Sequence, residues 1–323
     1  MAEPVPVPLP HREIAGRTVG AVGLGCMPMS WFYDRGAAND TEATAVIGAA
    51  LDHGVTLLDT ADVYGPFANE TLLAQALAGR RDEAFLATKA GLLVDGAGTY
   101  SRNGSRAHIL ASCDASLQRL RTDRIDLYQL HRVDPAVPVE ESVQAMADLV
   151  RAGKVRAIGL SEVSVAELDR AAAITPIAAV QSEFSLWTRD PVRNGVLRWC
   201  SEHGAALLAY APLGRGYLTG TIRSAADLPA DDFRRGNPRF QPAALRANES
   251  LLATLGEVAE RSGATPAQVA LRWLLGASSC VIPIPGTRRA ARVIENALAA
   301  TVELSPDDAA LLTALLEPAA PRY

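Results

Sequence analysis

A carboxylate, a phenol, an ammonium and an imidazole recur at one kind of place in this sequence. Asp59 stands near the end of the apolar run VTLLDT, Lys89 closes AFLATK, His131 closes IDLYQLH, and Tyr64 follows Asp59 in the loop DTADVYGPFANE. Together these groups suit the delivery of a proton to a carbonyl oxygen while hydride arrives on its carbon. A free tyrosine, with a pKa of about 10, is a poor acid near neutrality. An ammonium such as Lys89 would stabilise the phenolate and pull that pKa down, and a carboxylate such as Asp59 would hold the lysine charged and oriented. His131 could then donate to the carbonyl oxygen. The scheme requires no metal, and no HExxH or spaced His/Cys set in the sequence offers one a site. Taken singly, each residue has a plainer explanation: a helix cap or turn former for Asp59, a solvated tip for Lys89, a ring packed on the surface for Tyr64. Ser161 and Gln181 lie on two further runs. The coincidence at successive runs carries the reading.

Such residues work together only if the chain gathers the run ends. Eight apolar runs alternate with segments of helical period: AVGLG (21–25), VTLLDT (55–60), AFLATK (84–89), IDLYQLH (125–131), VRAIGLS (155–161), IAAVQSEFS (177–185), ALLAYAPLG (206–214) and CVIPIPG (280–286). Near-continuous apolarity is expected of parallel strands covered on both faces. Between them, Ser105 can cap a helix with Ile109, Leu110, Cys113, Leu117 and Leu120 on one side, and Val143, Met146 and Leu149 share a face of a helix that Gly153 ends. Eight unbroken βα units favour a (β/α)8 TIM barrel. An open doubly wound sheet is the alternative, but GLGCMPMS after the first run lacks its GxGxxG turn. In a barrel, the glycine-rich segment 91–104 and the charged segment 215–245, with Arg234, Arg235, Arg239 and Phe240, fall at the C-terminal mouth where active sites sit.

Composition bounds the remaining classes. The chain has 323 residues, 49% hydrophobic, and a formal charge of -5, which disfavours binding to nucleic acid or an anionic membrane surface. Cys26, Cys113, Cys200 and Cys280 are scattered with no CxxC pair, so neither a disulfide framework nor a zinc cluster is expected. The start, MAEPVPVPLPHRE, lacks the basic and apolar pattern of a signal peptide, and no stretch is long and apolar enough to span a bilayer. The expectation is a cytoplasmic, soluble chain forming one domain over residues 1–323, with residues 1–10 a loose tail. Met27, Met29, Trp31 and Phe32 after the first run, and Trp187 after the sixth, are candidates for lining a substrate pocket, although packing alone also accounts for them.

The motifs DTADVYGPFANE, ATKAG, DLYQLHRVD, GKVRAIGLSEVS, VQSEFSLW and IPIPGTRRAARVIENALAA together resemble the aldo-keto reductase superfamily over nearly the whole chain. GLGCMPMS, LHRVDPAVPVEES and GRGYLTG are similar to its bacterial and plant branch with pyridoxal reductases and auxin-induced-type proteins. The resemblance implies NADPH-dependent reduction of a small aldehyde or ketone, with Asp59, Tyr64, Lys89 and His131 as a catalytic tetrad and Tyr64 the general acid. It implies that Ser161 and Gln181 hold the nicotinamide amide and that Tyr210 stacks on its ring. Leu213, Gly214 and Gly216 would approach the pyrophosphate. Around the 2'-phosphate of NADP it sets Gly286, Thr287, Arg288 and Arg292, with Glu295 and Asn296 reaching adenine and Arg289 on a solvated face. The chain departs from the pattern at Glu162, where many members have asparagine, at Gly286, where lysine is frequent, and at Pro28, where the branch usually has glycine. Two further readings stay open. One is a nucleotide-sugar ketoreductase of natural-product biosynthesis, since the arginines of 215–245 could bind a diphosphate. The other is a cofactor-sensing regulatory subunit like those associated with potassium channels. Substrate and oligomeric state stay open, because both depend on loop shapes and surface patches.

Overall fold

A computed structural model describes residues 9–31, 40–315 and 320–321. Phe32 and most of the expected N-terminal tail lie outside the described residues. The chain enters through a hairpin of β1 (His11–Ile14) and β2 (Arg17–Gly20). Its two-residue turn, Ala15-Gly16, has positive φ at both positions (51° and 73°), the backbone twist that a tight hairpin needs. Leu9 packs on the core and the carbonyl of Pro10 accepts from Ala21 N at 3.0 Å.

The eight expected runs all become strands: β3 (Leu24–Gly25), β4 (Leu57–Asp59), β5 (Phe85–Ala90), then, beyond an antiparallel hairpin of β6 (Leu92–Val94) and β7 (Tyr100–Arg102), β8 (Ile125–Leu130), β9 (Val155–Ser161), β10 (Ala179–Glu183), β11 (Ala206–Tyr210) and β12 (Val281–Pro283). They lie side by side in the order β3-β4-β5-β8-β9-β10-β11-β12, every pair parallel. The sheet curls until its edges meet. Gly25 bridges Gly286, and Gly23 N donates to Pro283 O at 2.9 Å. This is the (β/α)8 barrel. Both bridging residues must be glycine for the edges to approach: a Cβ on Gly25 would lie 2.8 Å from Ile284 O, and one on Gly286 would lie 2.7 Å from Pro28 Cγ.

Two layers of apolar side chains hold it. Outside the strands, helices such as Arg106–Leu120 and Val139–Arg151 bury Ile109, Cys113, Val143, Met146 and Leu149 against the sheet. Ser105 caps the first by accepting from His108 N, and Gly153, at φ 74°, follows the second. Inside the barrel, Leu57, Phe85, Leu127, Leu208 and Ile282 form a separate core that Ile14 and Val19 of the hairpin close from below. The hairpin is also tied electrostatically. Fully buried Asp126 on β8 pairs with Arg17 of the hairpin, with Arg81 at 2.8 Å and with Arg156 at 3.3 Å, and accepts from Leu86 N at 2.9 Å. Asp126→Asn should therefore cost about 2–3 kcal/mol in a urea titration, as expected for charge-assisted bonds to a buried carboxylate. A midpoint unchanged from wild type would contradict this role.

Candidate active site

The strand ends converge at the wall of one cavity of about 1600 Å³ at the barrel mouth, lined among others by Met27, Trp31, Asp59, Tyr64, His131, Arg132, Gln181 and Tyr210. Lys89, wholly buried, lies behind this wall and links its neighbours. Its Nζ donates to Asp59 Oδ2 at 2.7 Å and to Thr60 O at 2.8 Å, and lies 3.5 Å from Tyr64 Oη. The other carboxylate oxygen of Asp59 accepts from Gln181 Nε2 at 2.8 Å and from Gln129 Nε2 at 3.2 Å. His131 meets the Tyr64 ring edge-on, with centroids 5.8 Å apart.

Burial decides the protonation states. It raises the Tyr64 pKa above its ordinary value; Lys89 opposes that rise without overcoming it. The expectation of a depressed phenol is thus corrected: desolvation of the phenolate outweighs the neighbouring ammonium. Burial also works against the charge on Lys89, yet Asp59 and Tyr64 outweigh it and hold the ammonium above its usual range. Burial, then Lys89 and Arg132, push His131 well below the usual imidazole value, so it is neutral at pH 7. Its Nδ1 is buried without a partner, which leaves Nε2 for hydrogen bonding.

The loop that carries Tyr64 is fixed by residues to which the sequence attached no chemistry. Asn69, fully buried, accepts from Thr60 Oγ1 at 2.6 Å and donates to Cys26 O at 2.9 Å and Ser30 Oγ at 2.8 Å, joining the first two strand ends. Glu70 accepts from Thr88 Oγ1 and from Arg119 Nε, both at 2.7 Å. Asp62 lacks such support. Burial, reinforced by the Glu70 carboxylate and opposed by Val63 N–H, Arg119 and Lys89, raises its pKa to about 7. An acid whose folded pKa exceeds its unfolded value stabilises the fold most at low pH, and that contribution is lost as pH rises from about 4 to about 7. Asp62→Asn should flatten this part of the stability profile; a wild-type slope retained in the variant would refute the assignment.

Several expected positions line the cavity and others do not. Tyr210, Leu213, Gly216, Gly286, Thr287, Arg288, Arg292 and Asn296 do. Arg289 is exposed, as expected, and lies at the rim of the same cavity. Gly214 is buried against Trp187, whose Cε3 would lie 2.8 Å from an added Cβ. Glu295 is turned away, accepting from Thr265 Oγ1 at 2.8 Å and pairing with Arg292 at 2.9 Å. Ser161, buried, stays behind Arg132, whose Nη1 donates to Ser161 Oγ at 3.0 Å. Glu162 accepts from Glu183 N at 2.9 Å and so departs from the carboxamide pattern, as its identity suggested.

Of the proposed substrate residues, Met27 and Trp31 line the cavity, Met29 is core, and Trp187 is a correction. Trp187 stacks on Tyr217 with centroids 4.1 Å apart and packs edge-on to Phe240, beneath the 215–245 segment. A tryptophan near a strand end signals burial, not which space it borders. Tyr100 and Leu92 instead line the cavity on this side, Tyr100 with its ring centroid 6.2 Å from that of Trp31. Both belong to the β6–β7 hairpin hidden in the glycine-rich segment, where Asp95-Gly96 between apolar runs was the available turn signal. The arginines of 215–245 serve largely as braces. Arg215 pairs with Glu183 at 3.0 Å, Arg234 with Asp232 at 2.6 Å, and Arg239 donates to Trp187 O at 2.6 Å.

The family model described as "Aldo/keto reductase family" matches residues 21–317. The chain belongs to the aldo-keto reductase family. Similar solved structures include the glycerol dehydrogenase AKR11B4 from Gluconobacter oxydans, 31% identical over 94% of both chains with a TM-score of 0.86. An aldo/keto reductase from Klebsiella pneumoniae in complex with NADP and acetate is 27% identical over 97% of both chains, with a TM-score of 0.75. The holo form of AKR11C1 from Bacillus halodurans is 25% identical, covering 94% of this chain and 95% of that one, with a TM-score of 0.76. Among the described residues of this aldo-keto reductase no helix is long and apolar enough to cross a membrane, and no cluster of His, Cys, Asp or Glu could hold a metal.

Proposed function

We propose that this aldo-keto reductase reduces an aldehyde or ketone to an alcohol with NADPH. The observation that carries the reading is the buried chain Asp59–Lys89–Tyr64, with neutral His131 against it, at the wall of a cavity open to solvent. When bound, NADPH supplies the hydride. Tyr64, protonated at rest because it is buried, donates its proton to the carbonyl oxygen, and the Lys89 ammonium stabilises the phenolate left behind. His131 Nε2 orients the same oxygen, and Asp59 keeps Lys89 in place. The cavity residues fit the cofactor on their own chemistry. Gly216 offers backbone without a side chain, and the arginines before and within the helix Ala290–Leu298 suit a 2'-phosphate. The NADP and acetate complex of the Klebsiella relative supports the choice. The four cysteines are free, three of them buried, which fits a reducing compartment such as the cytoplasm.

Oxidation of NADPH with a panel of small aldehydes and ketones tests the class. Tight NADPH binding without turnover on any of them would favour a cofactor-sensing protein. A nucleotide-sugar substrate is a further arm of the panel, since Arg215 and Arg234 line the cavity, each paired with an internal carboxylate. For cofactor choice, Arg292→Ala should weaken NADPH at least about tenfold more than NADH, since a guanidinium–phosphate pair is worth on the order of 1.5–3 kcal/mol. Equal losses would remove Arg292 from the phosphate site.

A further inference from the structure

We propose that Arg132 faces the nicotinamide end of the cavity as an un-neutralised cation, and that its charge makes this site prefer NADPH to NADP+, biasing the enzyme toward carbonyl reduction. The inference rests on reading the cavity as an NADP(H) site.

Five observations carry it. Arg132 follows His131 directly and lines the cavity with Tyr64, His131 and Gln181. Its Nη1 donates to His131 O at 2.6 Å and to Ser161 Oγ at 3.0 Å, both neutral oxygens, and among the described residues no carboxylate pairs with it. The neighbouring charges are compensated: Lys89 by Asp59, Arg215 by Glu183, Arg234 by Asp232. Glu162, next to Ser161 and the acid best placed by sequence to neutralise Arg132, has its Oε1 on Glu183 N. The Arg132 charge is felt at the reacting groups, since it contributes to lowering the pKa of His131 and opposes the rise at Tyr64.

Donor and acceptor capacity agree with this placement. A guanidinium only donates, and Ser161 lies behind it, so the donor offered to a carboxamide oxygen on this side is Arg132 itself. A carboxylate only accepts, so Gln181 must turn its nitrogen to Asp59, leaving its oxygen for a carboxamide nitrogen. Hydride transfer requires reacting atoms about 3–3.5 Å apart. A nicotinamide ring able to serve a carbonyl held by Tyr64 and His131 would therefore lie on the side of the cavity lined by Arg132. The reduced ring is neutral and the oxidised ring carries a positive charge, so an unpaired cation in this sheltered place penalises only the oxidised form.

The test is the ratio of dissociation constants for NADP+ and NADPH, measured by calorimetry on wild type, Arg132→Lys, Arg132→Gln and Arg132→Leu. The ratio is internally controlled, because both forms are bound by the same folded protein. Preference for NADPH should persist in Arg132→Lys and fall by about tenfold in Arg132→Gln and Arg132→Leu, as expected for loss of one nearby charge. An unchanged ratio in the glutamine and leucine variants would overturn the proposal while leaving the NADP(H) reading intact. Failure of wild type to bind either form would overturn that reading and the proposal with it.

Discussion

Tyr64→Phe should lower kcat for carbonyl reduction by about 10²–10⁴-fold, the usual range for loss of a positioned general acid, while NADPH binding stays near wild type. Removing one hydroxyl leaves the ring in its contacts with Trp31 and His131, so the cavity wall keeps its shape. The lost atom is the one 3.5 Å from Lys89 Nζ. Because Tyr64 titrates above its ordinary range, the wild-type rate should not fall through neutral pH from loss of this proton. Single-turnover measurements with preloaded NADPH would read the chemical step directly. Full activity in the phenylalanine variant would leave the family assignment standing and remove Tyr64 from the mechanism.

Lys89→Met should have the largest combined effect, unfolding the protein about 3–5 kcal/mol more easily and abolishing measurable turnover. Lys89 is wholly buried and is the counter-ion of Asp59, which is itself 3% exposed. Removing the lysine leaves the Asp59 charge with only the neutral amides of Gln129 and Gln181 to compensate it. The double variant Asp59→Asn with Lys89→Met removes both charges and should recover much of the stability without recovering activity. Urea titrations of the three proteins separate the two roles. If the single variant were as stable as wild type, the ion pair would not be a structural element of the barrel.

The strands were legible because each is covered on both faces and so is written in apolar residues over most of its length. The entry hairpin was not. HREI and RTVG are short and charged, and only Ile14 and Val19 face the core, too few positions to show a period. The convergence of Asp59, Tyr64, Lys89 and His131 could be read because strand ends are fixed by the fold, so residue type and position sufficed. What could not be read depended on which side chain reaches which atom. The Arg132–Ser161 bond, the Gln129 and Gln181 contacts to Asp59, and the turning of Glu295 toward Thr265 join residues distant in sequence by rotamers that no periodicity encodes. Likewise the net shift of Tyr64 hinged on depth of burial against one charge, a balance that sequence alone leaves open.

The meeting of Gly25 with Gly286 joins the two ends of the barrel sheet across the longest sequence separation in it. Every other strand pairs with its sequence neighbour among the barrel strands and can zip as it is made, but this contact closes a loop spanning most of the chain and is entropically the most expensive to form. The first barrel strand, β3, is only two residues long, so it contributes little until the last one arrives. Gly286 is followed at once by Thr287 and Arg288, which line the cavity. With the cofactor's phosphate held where proposed, its site and the barrel's final closure would share one segment. Cofactor binding should act as a clasp on the completed ring, and truncation before residue 286 should yield an unclosed sheet with no affinity for NADPH.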